Sequence, residues 1–252
     1  MKVLFVGDYK YNVKDGLWAA ISILGFDRYN IGDDIPNFEE YDFILGHGAF
    51  QSRVDLLLRN LPNKKGLCIA GNVYPQDTDC YDVLFYETEW VKNFLNLKGN
   101  LIHAFGVNTS IYYNQKEMTV LIDYLSVGAF AKWKRQHLIK TKEGLRLVVG
   151  EIQKDNMTES MEIITDLLKN GVGVIPQQST EELNHIYSQT QKVYIPADIY
   201  GGGERAVLEA RECGCDVEVE DDNPKLKELL TSPIWDENYY ASQLKKGIES
   251  CL

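Results

Sequence analysis

No stretch of the 252-residue sequence approaches the ~20 apolar residues that a membrane-spanning helix needs. The opening Met1-Lys2-Val3-Leu4-Phe5-Val6 is too short for a signal peptide's apolar region, and Asp8 follows almost at once. The expectation is a cytoplasmic protein with no transmembrane segment. Basic excess is also missing. The net charge is −11, which argues against the basic stripe of broad nucleic-acid binding and leaves only a local cluster, Lys132, Lys134 and Arg135. Glu218, Glu220, Asp221 and Asp222 read as a solvated edge. The five cysteines are odd in number and irregular in spacing. Cys213-Gly-Cys215 lacks the two-residue gap of a zinc knuckle or redox motif, so reduced structural thiols are expected. The dinucleotide fingerprint, the Walker phosphate loop and the serine-hydrolase elbow are absent. Paired histidine and carboxylate metal ligands are lacking too, and no metal site is expected.

What is present is an ordinary globular composition, 44% apolar and 25% charged. The length suits one large α/β domain or two of roughly 110–130 residues. Short apolar runs alternate with helix-like segments. Strands are expected at 3–6, 43–45, 66–70, 83–86 and 101–104, with helices at 17–24, 54–58 and 89–95. Residues 107–119 are polar and aperiodic and read as a linker. The pattern restarts with strands at 120–127, 145–149, 172–175, 193–195 and 217–219. Helices are expected at 135–140, 158–169, 180–187 (with Ser179 as N-cap), 205–213, 224–230 and 237–248. Fully apolar strands alternating with helices imply parallel sheets covered on both faces. The division is an N-terminal domain over 1–106, the linker 107–119, a second domain over 120–232, and a C-terminal helix within 233–252 able to pack back on the first domain. Ligands of open α/β sheets bind beyond the carboxyl ends of the strands.

The most informative segment runs from Pro196 to Gly214. A strand leads into Gly201, Gly202 and Gly203 and then directly into a helix. Glycines permit close backbone approach, and the helix start offers unpaired N–H groups, a combination suited to phosphate. Glu204 and Arg205 follow the glycines directly. Glu209 lies about one and a half turns in, where a carboxylate could accept hydrogen bonds from a ribose diol. The plain alternative is a tight turn with a surface glutamate.

With Leu208, Glu209, Ala210, Cys213 and Gly214 in this arrangement, the sequence resembles the family 4 glycosyltransferases, whose GT-B architecture sets two Rossmann-like α/β domains facing each other across a cleft. The family's two donor-contacting glutamates are separated by seven intervening residues. The second corresponds to Glu209, a ribose ligand by resemblance. The first falls on Gly201, and Glu204, three residues later, is its candidate replacement. At Leu125-Ser-Val-Gly-Ala-Phe-Ala-Lys-Trp-Lys134 the segment is similar to the family's diphosphate-clamping pattern. Lys134 matches the lysine, Ala129 stands where the arginine belongs, and Lys132 or Arg135 could supply the missing charge. Ala104-Phe-Gly-Val-Asn-Thr109 resembles the interdomain segment, where Gly106 is expected to permit a tight turn. In Tyr41-Asp-Phe-Ile-Leu-Gly-His47 the histidine matches one that faces acceptor and donor sugar, and as a lone histidine it also reads as a structural hydrogen-bonder. The first loop offers Asp8, Tyr9 and Lys10 as acceptor-side candidates, an ordinary β–α loop being the alternative.

The resemblance implies transfer of a sugar from a nucleotide-diphosphate sugar, a UDP-sugar first, with retention and without a metal or other cofactor. His47 would be catalytic. The alternatives are a nucleotide-binding relic of the same fold, because Gly201 and Ala129 remove two donor residues, and a sugar-nucleotide epimerase. The acceptor is open among glycan, lipid-linked sugar, small molecule, protein and, as a minority option, a modified base in DNA.

Overall fold

A computed structural model describes residues 1–8, 14–70, 78–115 and 117–252. The acceptor-side candidates Tyr9 and Lys10 lie outside the described residues. The chain forms two compact units, Met1–Asn108 with Trp235–Leu252, and Thr109–Ile234.

The first unit carries a six-stranded sheet in the order β2-β1-β3-β4-β5-β6. Its strands are β1 (Val3–Gly7), β2 (Asp27–Asn30), β3 (Phe43–Gly48), β4 (Lys64–Ile69), β5 (Val83–Tyr86) and β6 (Leu101–His103), and every pairing is parallel. Central strands of a parallel sheet are covered on both faces, so β1 and β5 are apolar and buried throughout. β2, Asp-Arg-Tyr-Asn, buries only Tyr29 and lies at the edge. Its polarity hid it from a search for apolar runs. Helix α1 (Gly16–Leu24) starts on the Asp15 carboxylate, which accepts from the Trp18 N–H at 2.9 Å, and stops at Gly25 with φ 66°. Helices α2 (Arg53–Arg59) and α3 (Glu89–Phe94) follow β3 and β5. Leu4, Val6, Ile44, Val54, Leu58 and Leu67 form the core of one face. On the other, α8 (Glu237–Glu249) packs on α1, β5 and β6. A Cβ added at Gly247 would lie 2.6 Å from the Phe85 ring, so only glycine allows that approach.

Gly106 lies in no tight turn, unlike the expectation from sequence, and its φ is not in the left-handed region. Close approach explains it instead. An added Cβ would lie 2.5 Å from the Asp236 carbonyl oxygen, and one at Gly16 would lie 1.9 Å from the Gly106 carbonyl oxygen. Val107 and Asp236 form a parallel bridge beside this crossing.

The second unit carries a five-stranded parallel sheet, β11-β10-β7-β8-β9. It comprises β7 (Ile122–Val127), β8 (Arg146–Gly150), α4 (Met157–Lys169), β9 (Gly173–Pro176), α5 (Thr180–Ser188), β10 (Thr190–Ile195), α6 (Glu204–Glu212), β11 (Asp216–Val219) and α7 (Pro224–Thr231). Ser179 caps α5 in a reciprocal pair with Glu182. Phe130, Ile139, Val148, Leu167, Val172 and Tyr194 make a core cluster. The helix expected at 135–140 is instead two 3-10 turns, Lys132–Lys134 and Gln136–Thr141, separated by Arg135 at φ 46°. That left-handed residue breaks the α-helical hydrogen-bond run. Within the segment read as linker, Tyr112 is buried edge-on to Tyr187 with ring centroids 6.1 Å apart, and the Tyr113 N–H donates to Asn184 Oδ1.

Candidate donor site

Chain order fixes where a ligand would sit in the second unit. From β7 the sheet grows one way through β8 and β9, then the other way through β10 and β11. The reversal lies between β7 and β10, and the loops leaving their carboxyl ends flank the crevice that such a switch point creates. Those loops contain residues 128–135 and 196–203, the two segments singled out by sequence.

The loops are tied together by backbone and by Arg135. The Asp198 N–H donates to the Trp133 carbonyl at 2.9 Å. Gly201 is pressed against that same carbonyl, so that an added Cβ would lie 2.5 Å from it. Gly202 and Gly203 take φ of 61° and 124°, conformations that favour glycine. The Arg135 guanidinium donates to the Pro196 and Ala197 carbonyls at 2.7 and 3.2 Å and grips Asp222 through two bonds of 2.7 and 2.8 Å. Lys132 is exposed and pairs with Glu159 at 3.3 Å. Of the three cations in this cluster, Lys132 and Arg135 are therefore committed to other groups.

Lys134 is different. Among the described residues it forms no ion pair and its ammonium donates no hydrogen bond, yet the group is set deep between Gly128 and Gly202. A Cβ at Gly202 would be 3.4 Å from Lys134 Nζ and 3.5 Å from Glu204 Oε2. Burial is the main cause that pulls the ammonium's pKa down to about 8. Lys225 and Arg205 push it the same way, while Glu204 and Asp198 oppose them.

Glu204, the first residue of α6, is 5% exposed and meets Lys225 Nζ at 2.7 Å. Burial works against its ionisation. The Lys225 ammonium, its own backbone N–H and Lys134 outweigh that and hold the carboxyl below its usual range. Arg205 is exposed on the same turn. Glu209, one and a half turns on, is buried, and the Tyr187 hydroxyl approaches its Oε2 at 3.5 Å. Burial, then the nearby Glu209 charge, drives the Tyr187 phenol well above its ordinary pKa, so it stays a neutral donor.

Sequence reasoning missed the head of α7. Asn223 is fully buried, and its amide donates to the Ala197 and Asp198 carbonyls at 2.9 and 3.0 Å while its Oδ1 caps the helix at Leu226 N–H. Asp222 holds Arg135 and Lys225 holds Glu204. Asn223-Pro224 is a legible N-cap followed by proline at the first helical position. Nothing in the sequence said which loop it would hold.

In the first unit the sheet reverses between β1 and β3. Asp8 follows β1 and pairs with Arg53 at 3.1 Å. His47 is the fifth residue of β3, beside Cys68 of β4, and is partly buried. Both stand at carboxyl ends of strands flanking that reversal.

No protein-family model matches the chain, and no curated protein matches it. Solved structures do. Sucrose-phosphate synthase from Thermosynechococcus elongatus is 14% identical over 100% of this chain and 90% of its own, with a TM-score of 0.64. Anabaena HepE in complex with UDP-glucose is 12% identical over 100% of this chain and 89% of its own, with a TM-score of 0.66. The fold is GT-B. Both parallel sheets belong to it, each Rossmann-like. GT-B also accommodates other chemistry: a putative UDP-N-acetylglucosamine 2-epimerase from Listeria monocytogenes matches at a TM-score of 0.55 and 12% identity, over 98% of this chain and 88% of its own. Among the described residues no helix is long and apolar enough to cross a membrane, and no cluster of histidine, cysteine and carboxylates could hold a metal ion.

Proposed function

We propose that the chain is a glycosyltransferase that takes a sugar from a nucleotide-diphosphate sugar, a UDP-sugar first, and passes it to an acceptor hydroxyl or amine. The observation that carries this reading is the Lys134 ammonium, uncommitted to any described partner and set beside Gly202 at the β7/β10 switch point. In the transfer the bond from the sugar's anomeric carbon to the diphosphate breaks, the bond to the acceptor forms, and the acceptor's proton is lost. Charge builds on the departing diphosphate. Lys134 and the Gly201–Gly203 backbone at the start of α6 are the groups proposed to stabilise it. Glu209 is the proposed ribose ligand and Glu204 the proposed sugar contact, with Arg205 beside it. Arg135 and Lys132 are assigned to the loop framework, because their charges are matched by Asp222 and Glu159. His47 is proposed as the acceptor-side catalytic residue and Asp8 as its neighbour on that side. Retention and independence from metal belong to the same proposal.

The test is thermal stabilisation against a panel of nucleotides and nucleotide-diphosphate sugars. A ligand at a hundred times its dissociation constant adds about 2.7 kcal/mol, enough to read as a shift in Tm. Selective stabilisation by one diphosphate sugar supports the reading and names the donor, and turnover of that donor without an acceptor moves the assignment to an epimerase. A specific observation favours a second reading, a binding relic: Ala129 has no charge and its candidate replacement Arg135 is tied to the framework. Tight nucleotide binding with no turnover for any acceptor would select it.

A further inference from the structure

Lys225 is 1% exposed, and buried lysines are rare unless paired. Its partner, Glu204, is nearly as buried and lies beside Gly202 of the glycine loop. Such a pair is weak evidence of stability, because desolvating two charges offsets much of their attraction. Its geometry indicates another use. Lys225 holds Oε1 of Glu204 at 2.7 Å, while Oε2 faces the Gly202 position, the same position that Lys134 Nζ faces. Lys134 and Glu204 are thus neighbours of opposite charge that form no ion pair.

We infer that Lys225 is a positioning residue of the donor site: by fixing Oε1 of Glu204 it keeps that carboxylate from closing on Lys134, so the Lys134 ammonium stays available to an incoming diphosphate. The inference rests on the donor reading above and adds a residue to it. It also accounts for a site with one uncommitted cation and an alanine, Ala129, where the resemblance expects an arginine. With Lys225 in place, the cations Lys134, Lys225 and Arg205 outnumber the carboxylates Glu204 and Asp198 by one and the loop retains a net positive charge. Without it, Glu204 and Lys134 neutralise each other. The charged groups facing Lys134 are Glu204 and Arg205 of α6, Lys225 of α7 and Asp198 of the loop after β10.

The test compares wild type, Lys225→Met and the double variant Lys225→Met/Glu204→Gln. Two readouts are taken: UDP affinity by calorimetry, and the titration of Lys134 followed by the rate of its reductive methylation against pH. Lys225→Met is expected to weaken UDP binding about tenfold, equivalent to about one pKa unit of lost charge interaction, and to move the Lys134 titration upward. The double variant has no carboxylate left to capture Lys134, so it should regain most of the affinity and bring the titration back down. A purely structural role would restore the affinity in the same way but would leave the Lys134 titration of the folded single variant unmoved, so the titration separates the two roles. Lys225→Met strands a buried carboxylate and can unfold the unit. The double variant strands none, and its UDP affinity against wild type then decides the matter. A folded Lys225→Met with wild-type affinity and an unmoved Lys134 titration overturns the inference, as does a double variant no better than the single. Wild-type protein that fails to bind UDP sinks the donor reading instead, and the Lys134 titration then decides this inference alone.

Discussion

Replacing Lys134 by methionine should strengthen the second unit while removing its affinity for a diphosphate. Methionine keeps the length and packing of the lysine stem. What it discards is a charge held where water cannot reach it freely. In the folded chain Lys134 loses its proton near pH 8, against 10.5 for an ordinary lysine. Between those values the unfolded chain holds more protons than the folded one, so stability contributed by this group rises with pH from about 8 to 10.5 and is lowest below 8. The full shift is worth about 3 kcal/mol at pH 7, and residual solvent contact reduces it to about 1–3 kcal/mol. For a chain of this size each kcal/mol moves Tm by roughly 2–4 °C. Thermal unfolding at pH 7 and pH 10 should therefore show Lys134→Met more stable at pH 7, with the difference shrinking at pH 10. Calorimetry with UDP-glucose should show wild-type affinity falling above pH 8, a flat profile for Lys134→Arg, and little binding to Lys134→Met. Equal stability of wild type and Lys134→Met across this pH range, with equal UDP-glucose affinity, would refute the reasoning.

Three other outcomes are expected. Glu209→Ala should weaken binding of UDP and of uridine alike, read by calorimetry, while the unfolding transition stays cooperative; an unchanged affinity in folded protein removes the ribose role. Arg135→Ala breaks the guanidinium's links to Pro196, Ala197 and Asp222. It should cost about 1–3 kcal/mol in urea unfolding and lower UDP affinity by loosening the 196–203 loop. Gly106→Ala forces a methyl against the Asp236 carbonyl and should cost about 1–3 kcal/mol, with no effect on UDP affinity.

The elements most legible in the sequence were those whose burial leaves no freedom. β1 and β5 are short apolar runs throughout, and β3 and β10 carry one each at 43–45 and 193–195, because a parallel sheet covers these segments on both faces. β2 escaped because an edge strand needs only one apolar residue, and Tyr29 supplies it. The glycine loop and Lys134 were legible as a pattern. Their partners were not, because Arg135, Asn223 and Lys225 act through contacts 20 to 90 residues away in sequence. The resemblance offered Arg135, with Lys132, as a replacement charge and periodicity gave it a helical backbone, whereas its bonds to Pro196, Ala197 and Asp222 accompany a left-handed turn. Gly106 shows the same limit. Its need for glycine comes from the backbone at Asp236, a neighbour that no local motif announces.

That crossing of Gly16, Gly106 and Asp236 bears on the order of synthesis. The ribosome makes β1 through β6 first, but the helix that covers β5, β6 and α1 comes only after residues 109–234 have been translated. The nascent first unit must wait with Phe85 and Ile102 uncovered, while the second unit has all its own strands and can close before it. A ribosome stalled before α8 would release a chain with its later half folded and its earlier half sticky, the reverse of the usual polarity of co-translational folding.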